Sequence, residues 1–232
     1  MVKILYINRT TLSDTEKMKR EKLLSKIASK DTKVEIEAAK VPVPSIESSY
    51  EGYLTVPDTC RIAIEAEKKG FHALIPGCYG DPGLEAIREI VKIPVVGLGV
   101  TSAHMASLLG EKFSIITSGP KRARKHRLKG LGDKLVSIRG VGLTVLECRE
   151  NRDKALESFT EQGSLAIEED GADVVILGCM SLAYQNMDEE LSERLGVPVI
   201  NPIKVSIKIA EMLVSLGISH SKAAYPMPKK LY

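Results

Sequence analysis

The chain has 232 residues, 44% of them hydrophobic and 27% charged, with a net charge of +3. That length suits one large domain or two smaller lobes around a substantial core, and so small a net charge gives no general bias towards polyanions. Four cysteines, Cys60, Cys78, Cys148 and Cys179, stand in no CxxC pair, which argues against a zinc site. Met1 leads straight into strand-like VKILYI, so neither the basic stretch nor the apolar core of a signal peptide is expected. No apolar run approaches the length of a membrane-spanning helix. The expected location is the cytoplasm, whose reducing conditions disfavour structural disulfides.

Strands and helices are expected to alternate along the whole chain. VKILYI at 2–7 is followed by a helix over 13–29, then strand TKVEIEAAK at 32–40. A helix over 58–69 leads to HALIPG at 72–77, and a helix over 82–91 to IPVVGLG at 93–99. After a helix over 101–110 come FSIITS at 113–118, a helix over 120–130 and the strand LVSIRGVGLTV at 135–145. A helix over 151–170, DVVILG at 173–178, a helix over 187–195, VPVIN at 197–201 and a helix over 203–216 complete the pattern. Strands alternating with helices of this length indicate βαβ units and parallel sheets. HALIPG and DVVILG are apolar without alternation, as expected of strands buried on both faces.

An internal repeat organises the chain. EAEKKGFHALIPGCYGDPG carries Cys78, and AIEEDGADVVILGCMSLAY carries Cys179. In each copy a charged helix end stops at a glycine, Gly70 or Gly171, eight residues before the cysteine. KIPVVG and HMASLLGEKF follow in the first copy, GVPVIN and AEMLVSLGIS in the second. A repeat of this kind bears directly on architecture. The expected fold is α/β, with two pseudo-symmetric Rossmann-like lobes, each built on a mostly parallel sheet, and an active site in the cleft between them. Lobe 1 comprises 1–97 and 206–232 with Cys78; lobe 2 comprises 98–205 with Cys179. Ligands of such sheets bind beyond the carboxyl ends of the strands, where both cysteines are expected.

Two opposed thiols suit proton transfer at carbon. One thiolate removes a proton from one face while the other thiol returns one to the opposite face, with no metal or organic cofactor. An ordinary thiol titrates near about 8.5, so a modest lowering makes it a useful base. Each sulfur must come within about 3–3.5 Å of the reacting carbon. Loop N–H groups beside the cysteines suit the enolate oxygen. In GCYGDPGL, Asp81 and Pro82 read as N-cap and first residue of a helix, which places Cys78 just before a helix N-terminus that favours a thiolate. Cys60 and Cys148 read as packing residues, Cys60 within a helix and Cys148 after a strand beside a charged loop.

GCYGDPGL, the second Gly-Cys after a strand, INRTT after the first strand, PSIES near residue 45 and IITS after residue 113 resemble the Asp/Glu/hydantoin racemase superfamily, closest to hydantoin and allantoin racemases. The resemblance covers nearly the whole chain. It implies cofactor-independent racemisation of a hydantoin-type substrate by two cysteines, matched here by Cys78 and Cys179. It further implies substrate contacts from Asn8, Ser45, Ile46, Tyr79, Gly80, Thr117, Ser118 and Met180, and a homo-oligomer. An aspartate or glutamate racemase, a maleate-type isomerase and a non-catalytic small-molecule binding protein are the alternatives. Arg9 stands where a proline is usual in hydantoin racemases, MSL follows Cys179 where a GCAGM-like segment is usual, Val100 stands in place of a common glutamate, and Asn201-Pro202 replaces Asp-Pro. A free dicarboxylate would call for bidentate arginine. Arg9 is the obvious cation near the expected pocket, so a neutral ring is favoured.

Three further features have plainer readings. KRARKHRLK at 121–129 holds seven basic side chains in nine residues. It lacks interleaved aromatics or a nucleic-acid motif, so it reads as a solvated helix face and no nucleic-acid or membrane partner is expected. GLGVTS at 97–102 lacks the third glycine of a dinucleotide fingerprint and reads as a tight strand-to-helix turn. His72 and His104 read as buried, satisfied histidines.

Overall fold

Two parallel sheets are built on one plan in the computed structural model, which describes residues 1–119 and 132–230. The first comprises β1 (Val2–Asn8), β2 (Thr32–Ala38) and β3 (Ala73–Gly77) in the order β2-β1-β3. The second comprises β4 (Phe113–Thr117), β5 (Leu135–Gly140), β6 (Val174–Leu177) and β7 (Val199–Ile200) in the order β5-β4-β6-β7. In both, the opening strand lies between the next two. The fourth place in the first sheet is held by a single parallel bridge, Leu74 to Val95.

The sequence repeat reappears in the backbone bonding, with a one-residue difference at the helix ends. Gly70 and Gly171 close their helices in the left-handed region, at φ 76° and 71°, where a side chain would be strained. The next N–H folds back on the helix in each copy, Phe71 to the Ala66 carbonyl at 3.1 Å and Ala172 to that of Ala166 at 3.0 Å. His72 then donates to the Lys3 carbonyl at 2.8 Å, and Asp173 to that of Lys112 at 2.9 Å. Finally Leu74 donates to the Pro94 carbonyl at 2.9 Å, and Val175 to that of Pro198 at 3.0 Å. Such equivalences follow when similar residues sit at the same register of the same ladder.

Ten α-helices lie among the described residues: α1 (Asp14–Ile27), α2 (Ser49–Leu54), α3 (Val56–Lys68), α4 (Leu84–Ile90), α5 (Leu98–Leu109), α6 (Val145–Glu150), α7 (Arg152–Glu168), α8 (Met180–Tyr184), α9 (Asp188–Leu195) and α10 (Pro202–Ser215). The chain divides into two compact units, Met1–Leu98 with Ser206–Tyr232, and Gly99–Val205. Ile4, Ile7, Ile62, Leu74, Ile75 and Ile87 are fully buried in the first unit. Ile116, Phe159, Val175, Leu177, Leu182 and Leu191 belong to one apolar cluster of the second. The end of the chain is tied into the first unit. Lys208 donates to Ser29 at 2.9 Å, and Lys222 Nζ caps α4 by donating to the carbonyls of Arg88, Glu89 and Val91 at 2.6, 3.0 and 2.6 Å. Among the described residues no helix is long and apolar enough to cross a membrane.

Several boundaries differ from expectation. IPVVGLG is no strand beyond the Val95 bridge, because α5 already begins at Leu98. β5 stops at Gly140 rather than running to 145, because the Thr144 side chain caps α6 and Glu147 reaches back to the Thr144 N–H at 2.8 Å. Cys148 therefore lies inside α6, where it is fully buried. α2, α6 and α8 were not anticipated. His72 and His104 are exposed rather than buried; His72 Nδ1 accepts the Lys3 N–H at 2.9 Å. The helix expected over 120–130 and the basic run 121–129 lie outside the described residues.

Candidate active site

In the first unit the register of the sheet assembles the carboxyl end. Asn8, the last residue of β1, stands opposite Ala38 in β2 and Gly77 in β3, so Cys78 leaves the sheet beside Asn8. The Cys78 N–H donates to the Pro76 carbonyl at 2.9 Å, and the Cys78 carbonyl accepts the Asp81 N–H at 3.0 Å. Residues 78–81 thus form a closed turn. Asp81 adopts φ 46°, a left-handed conformation that Asp tolerates better than most residues. The expected helix start is displaced as a result. Gly83, not Asp81, precedes α4, and the helix begins at Leu84 rather than Pro82. Cys78 is accordingly separated from the α4 N-terminus by a turn, and the expected help from that helix is reduced.

A buried cation lies beside the same turn. Arg9 is 1% exposed and is among the largest fully buried side chains of the protein. Its guanidinium donates to the Pro82 carbonyl at 2.7 Å, to Thr59 Oγ1 at 3.1 Å and to Thr55 Oγ1 at 3.4 Å. Its Nε has no hydrogen-bond partner among the described residues. Burial lowers its pKa, opposed by the negative potential of Cys78, then Asp81, Cys60 and Tyr6. Cys60, half-buried on α3, has its thiol pushed up by burial, with Arg9 opposing. Arg20 completes the surroundings of Asn8, donating to its Oδ1 at 2.8 Å, while Asn8 Nδ2 donates to the Thr10 carbonyl at 2.6 Å. Asn8 therefore shapes the β1–α1 loop.

Ser45 and Ile46 come to the same neighbourhood. A Cβ placed on Gly52 of α2 would lie 3.4 Å from Pro82 and 3.7 Å from Ile46, so the 45–52 segment packs beside the turn bearing Cys78. Ser45 is nearly buried and donates to Glu47 at 2.9 Å. Tyr79 is half-buried, its hydroxyl fully shielded and without a hydrogen-bond partner among the described residues. Burial first, and the Asp81 charge second, push its pKa above the usual phenol value, so it stays protonated. Gly80 is exposed.

The second unit is organised around Gly178. Its N–H donates to the Ile116 carbonyl at 2.7 Å, and its carbonyl accepts from Thr117 Oγ1 at 3.0 Å. A Cβ there would lie 2.5 Å from Ile115 Cγ2 and 3.0 Å from the Ile116 carbonyl, so only glycine allows this approach. Cys179 follows as the N-cap of α8, 5% exposed, with no side-chain capping bond. It is Cys179 rather than Cys78 that directly abuts a helix. Ser118 and Met180 are half-buried on either side of this junction. The sheet thus brings Thr117, Ser118, Gly178 and Cys179 together, as it brings Asn8 to Cys78.

An unanticipated polar network fixes α8. Asn201 is buried; its Nδ2 donates to the Ala183 carbonyl at 3.0 Å and to Asp188 at 3.1 Å, and its Oδ1 accepts the Ile203 N–H at 3.1 Å. Lys204 bridges Asp188 at 2.7 Å. Burial works against its charge, but the bonds to Asp188 and Glu189 outweigh it and raise its pKa. An amide suits position 201 because two acceptors must be met by a donor. Among the described residues no group of three His, Cys, Asp or Glu could hold a metal. Two surface hollows, one bordered by Arg88, Val95 and His220 and one by Pro57, Arg61 and Lys68, have neither Cys78 nor Cys179 in their lining.

The family profile described as Asp/Glu/Hydantoin racemase matches residues 4–210. The chain belongs to that family. It is therefore an enzyme of the racemase and isomerase kind. It is 35% identical to the hydantoin racemase of Pseudomonas sp. (strain NS671), over 99% of this chain and 93% of that one. Its fold is similar to the crystal structure of allantoin racemase from Pseudomonas fluorescens, with a TM-score of 0.89, 31% identity and coverage of 100% and 99%. It is also similar to allantoin racemase from Klebsiella pneumoniae, with a TM-score of 0.89, 28% identity and coverage of 100% and 95%. In this racemase-family chain the two Gly-Cys junctions occupy equivalent ends of equivalent strands, while the supports around them, Arg9 in one unit and Asn201 in the other, differ.

Proposed function

We propose that this enzyme racemises a hydantoin-type ring, a 5-substituted hydantoin or allantoin, without a cofactor, using Cys78 and Cys179 as the two proton-transfer groups. The observation that carries the reading is the repeat: each unit ends its third strand on Gly-Cys, at the same place relative to its opening strand. The ring C–H is weakly acidic because its carbanion is delocalised as an enolate. A thiolate on one face takes the proton, the enolate oxygen is held by loop N–H groups beside the cysteines, and the thiol on the other face returns a proton. Substrate of the opposite hand reverses the two roles. The mechanism requires each sulfur to come within about 3–3.5 Å of one carbon, from opposite faces of the ring.

A neutral ring fits the charges near Cys78. Arg9 is committed to the Pro82 carbonyl and two threonines, and Arg20 to Asn8 and Glu16. Neither is offered as the bidentate clamp that a free dicarboxylate calls for. Tyr79, next to Cys78, is a proposed substrate contact. Thr117 gives its hydrogen to the Gly178 carbonyl and keeps its oxygen as an acceptor for a ring N–H. Asn8, Ser45, Ile46, Gly80, Ser118 and Met180 complete the proposed contacts. Hydantoins, allantoin, aspartate, glutamate and maleate offered in parallel test the substrate class. Loss of optical rotation with the ring compounds alone supports the reading; turnover of aspartate, glutamate or maleate in preference overturns it.

A further inference from the structure

We propose that Arg9 is a positioning residue for Cys78: its buried guanidinium anchors the reactive turn at Pro82 and supplies the fixed positive charge against which the Cys78 thiolate forms. The proposal rests on the reading of Cys78 as a proton-transfer group. A cation withdrawn from water is costly unless it is paired, yet the hydrogen-bond acceptors of Arg9 are all neutral: two threonine hydroxyls and a backbone carbonyl. A shape-filling apolar residue, or a threonine-bonding neutral one, would avoid that cost.

The placement of the side chain gives the charge a use. Arg9 follows Asn8, which is in register with Gly77, the residue before Cys78. Its Nη2 grips the Pro82 carbonyl directly after the turn that the Asp81 N–H closes onto Cys78. Thr55 and Thr59, at the start and first turn of α3, hold the other arm of the fork from below, both fully buried. The guanidinium is thus fixed at both ends and cannot swing out to solvent. The groups facing it are Cys78 and Asp81 from the turn, Cys60 from α3 and Tyr6 from β1, with Cys78 the strongest of these in its electrostatic effect. Attraction is mutual, so a guanidinium stabilised by a negative Cys78 stabilises that thiolate in return. Arg9 also attracts Asp81, the carboxylate of the same turn.

Alkylation of the full chain separates this role from mere packing. Wild type, Arg9→Gln and Arg9→Lys are treated with iodoacetamide across a pH series, and each cysteine is read separately by peptide mass spectrometry. Arg9→Gln keeps an N–H donor and loses the charge; Arg9→Lys keeps the charge and loses the fork. The midpoint of Cys78 labelling is expected to rise by about one pH unit or more in Arg9→Gln, to stay near the wild-type value in Arg9→Lys, and to leave the Cys179 profile unchanged in both. A Cys78 profile in folded Arg9→Gln that superimposes on wild type overturns the proposal, as does an Arg9→Lys shift as large as that of Arg9→Gln. If Arg9→Gln does not fold, Arg9→Met takes its place: a Cys78 midpoint raised by about one pH unit or more supports the charge, and a wild-type midpoint in folded protein overturns it. The readout is thiol chemistry, so it fails or succeeds independently of racemisation. Full racemisation by Cys78→Ser overturns the functional reading without touching the alkylation result.

Discussion

Asn201→Asp tests whether the buried network beneath α8 works as its bonds suggest. The change is nearly isosteric, so packing is unaltered and only donors are lost. The native amide gives one hydrogen to the neutral Ala183 carbonyl and one to the Asp188 carboxylate. The first bond is worth about 1 kcal/mol and the second, to a charged group, about 1.5–3. The introduced oxygen also faces Asp188 at about the native 3.1 Å, where two ionised carboxylates repel by several kcal/mol even at an effective dielectric of about 20. One carboxyl therefore holds a proton in the folded protein, and the net cost near pH 7 is about 3–5 kcal/mol. The pH dependence has a definite sign. A carboxyl whose folded pKa is raised contributes its stability fully below the unfolded value of about 4 and loses it as pH rises through the folded value. Below about pH 4 the protonated group can donate to one acceptor, so the penalty shrinks to about 1–2 kcal/mol. Urea unfolding followed by circular dichroism at pH 7 and pH 4 measures both, and release of the α8 tie is expected to speed Cys179 alkylation. A cost below about 1 kcal/mol at pH 7, or one that grows on acidification, refutes the account.

Two further predictions concern the same scaffold. Gly178→Ala places a Cβ 2.5 Å from Ile115 Cγ2 and 3.0 Å from the Ile116 carbonyl, and is expected to cost about 1–3 kcal/mol in unfolding and to lower racemisation by displacing Cys179; an unchanged melting temperature contradicts this. Asp170 is held below the usual carboxylate range chiefly by its hydrogen bonds from Arg139, at 2.6 and 2.9 Å. A depressed folded pKa gives stability that is present above the unfolded value and lost as pH falls through the folded one. Arg139→Gln should therefore cost about 1–2 kcal/mol at pH 7 and progressively less on acidification, and a cost independent of pH removes the ion pair as its cause.

The repeat was legible because its parts are chemically distinctive: a charged helix end, a glycine that must be left-handed, a doubly buried apolar strand and Gly-Cys. Those constraints act locally, and the sheet merely adds register. The α8 helix was hidden because MSLAY, only five residues long, continues an apolar run without a capping side chain. α2 and α6 were hidden for a different reason. Both carry the Ser/Thr-x-x-Glu pattern of a capping box, Ser48 with Glu51 and Thr144 with Glu147, and that signal was available but overshadowed by their shortness. Asp81-Pro82 was legible as a helix start and misled, because the Asp81 N–H closes the turn onto Cys78 and the Pro82 carbonyl is taken by Arg9. The reach of Arg9 to Thr55, Thr59 and Pro82, and of Asn201 to Ala183 and Asp188, depends on contacts distant in sequence that no local pattern encodes.

The central claim is that Cys78 and Cys179 serve opposite faces of one carbon, and proton exchange measures this most directly. Each enantiomer of a 5-substituted hydantoin is incubated in D2O with wild type, Cys78→Ser and Cys179→Ser, and deuterium at the ring carbon is followed together with optical rotation. Wild type is expected to incorporate deuterium as it racemises. Each variant is expected to lose racemisation, and any exchange that survives should be confined to one enantiomer, opposite for the two variants. Full racemisation by either variant, or surviving exchange of the same enantiomer in both, contradicts the account.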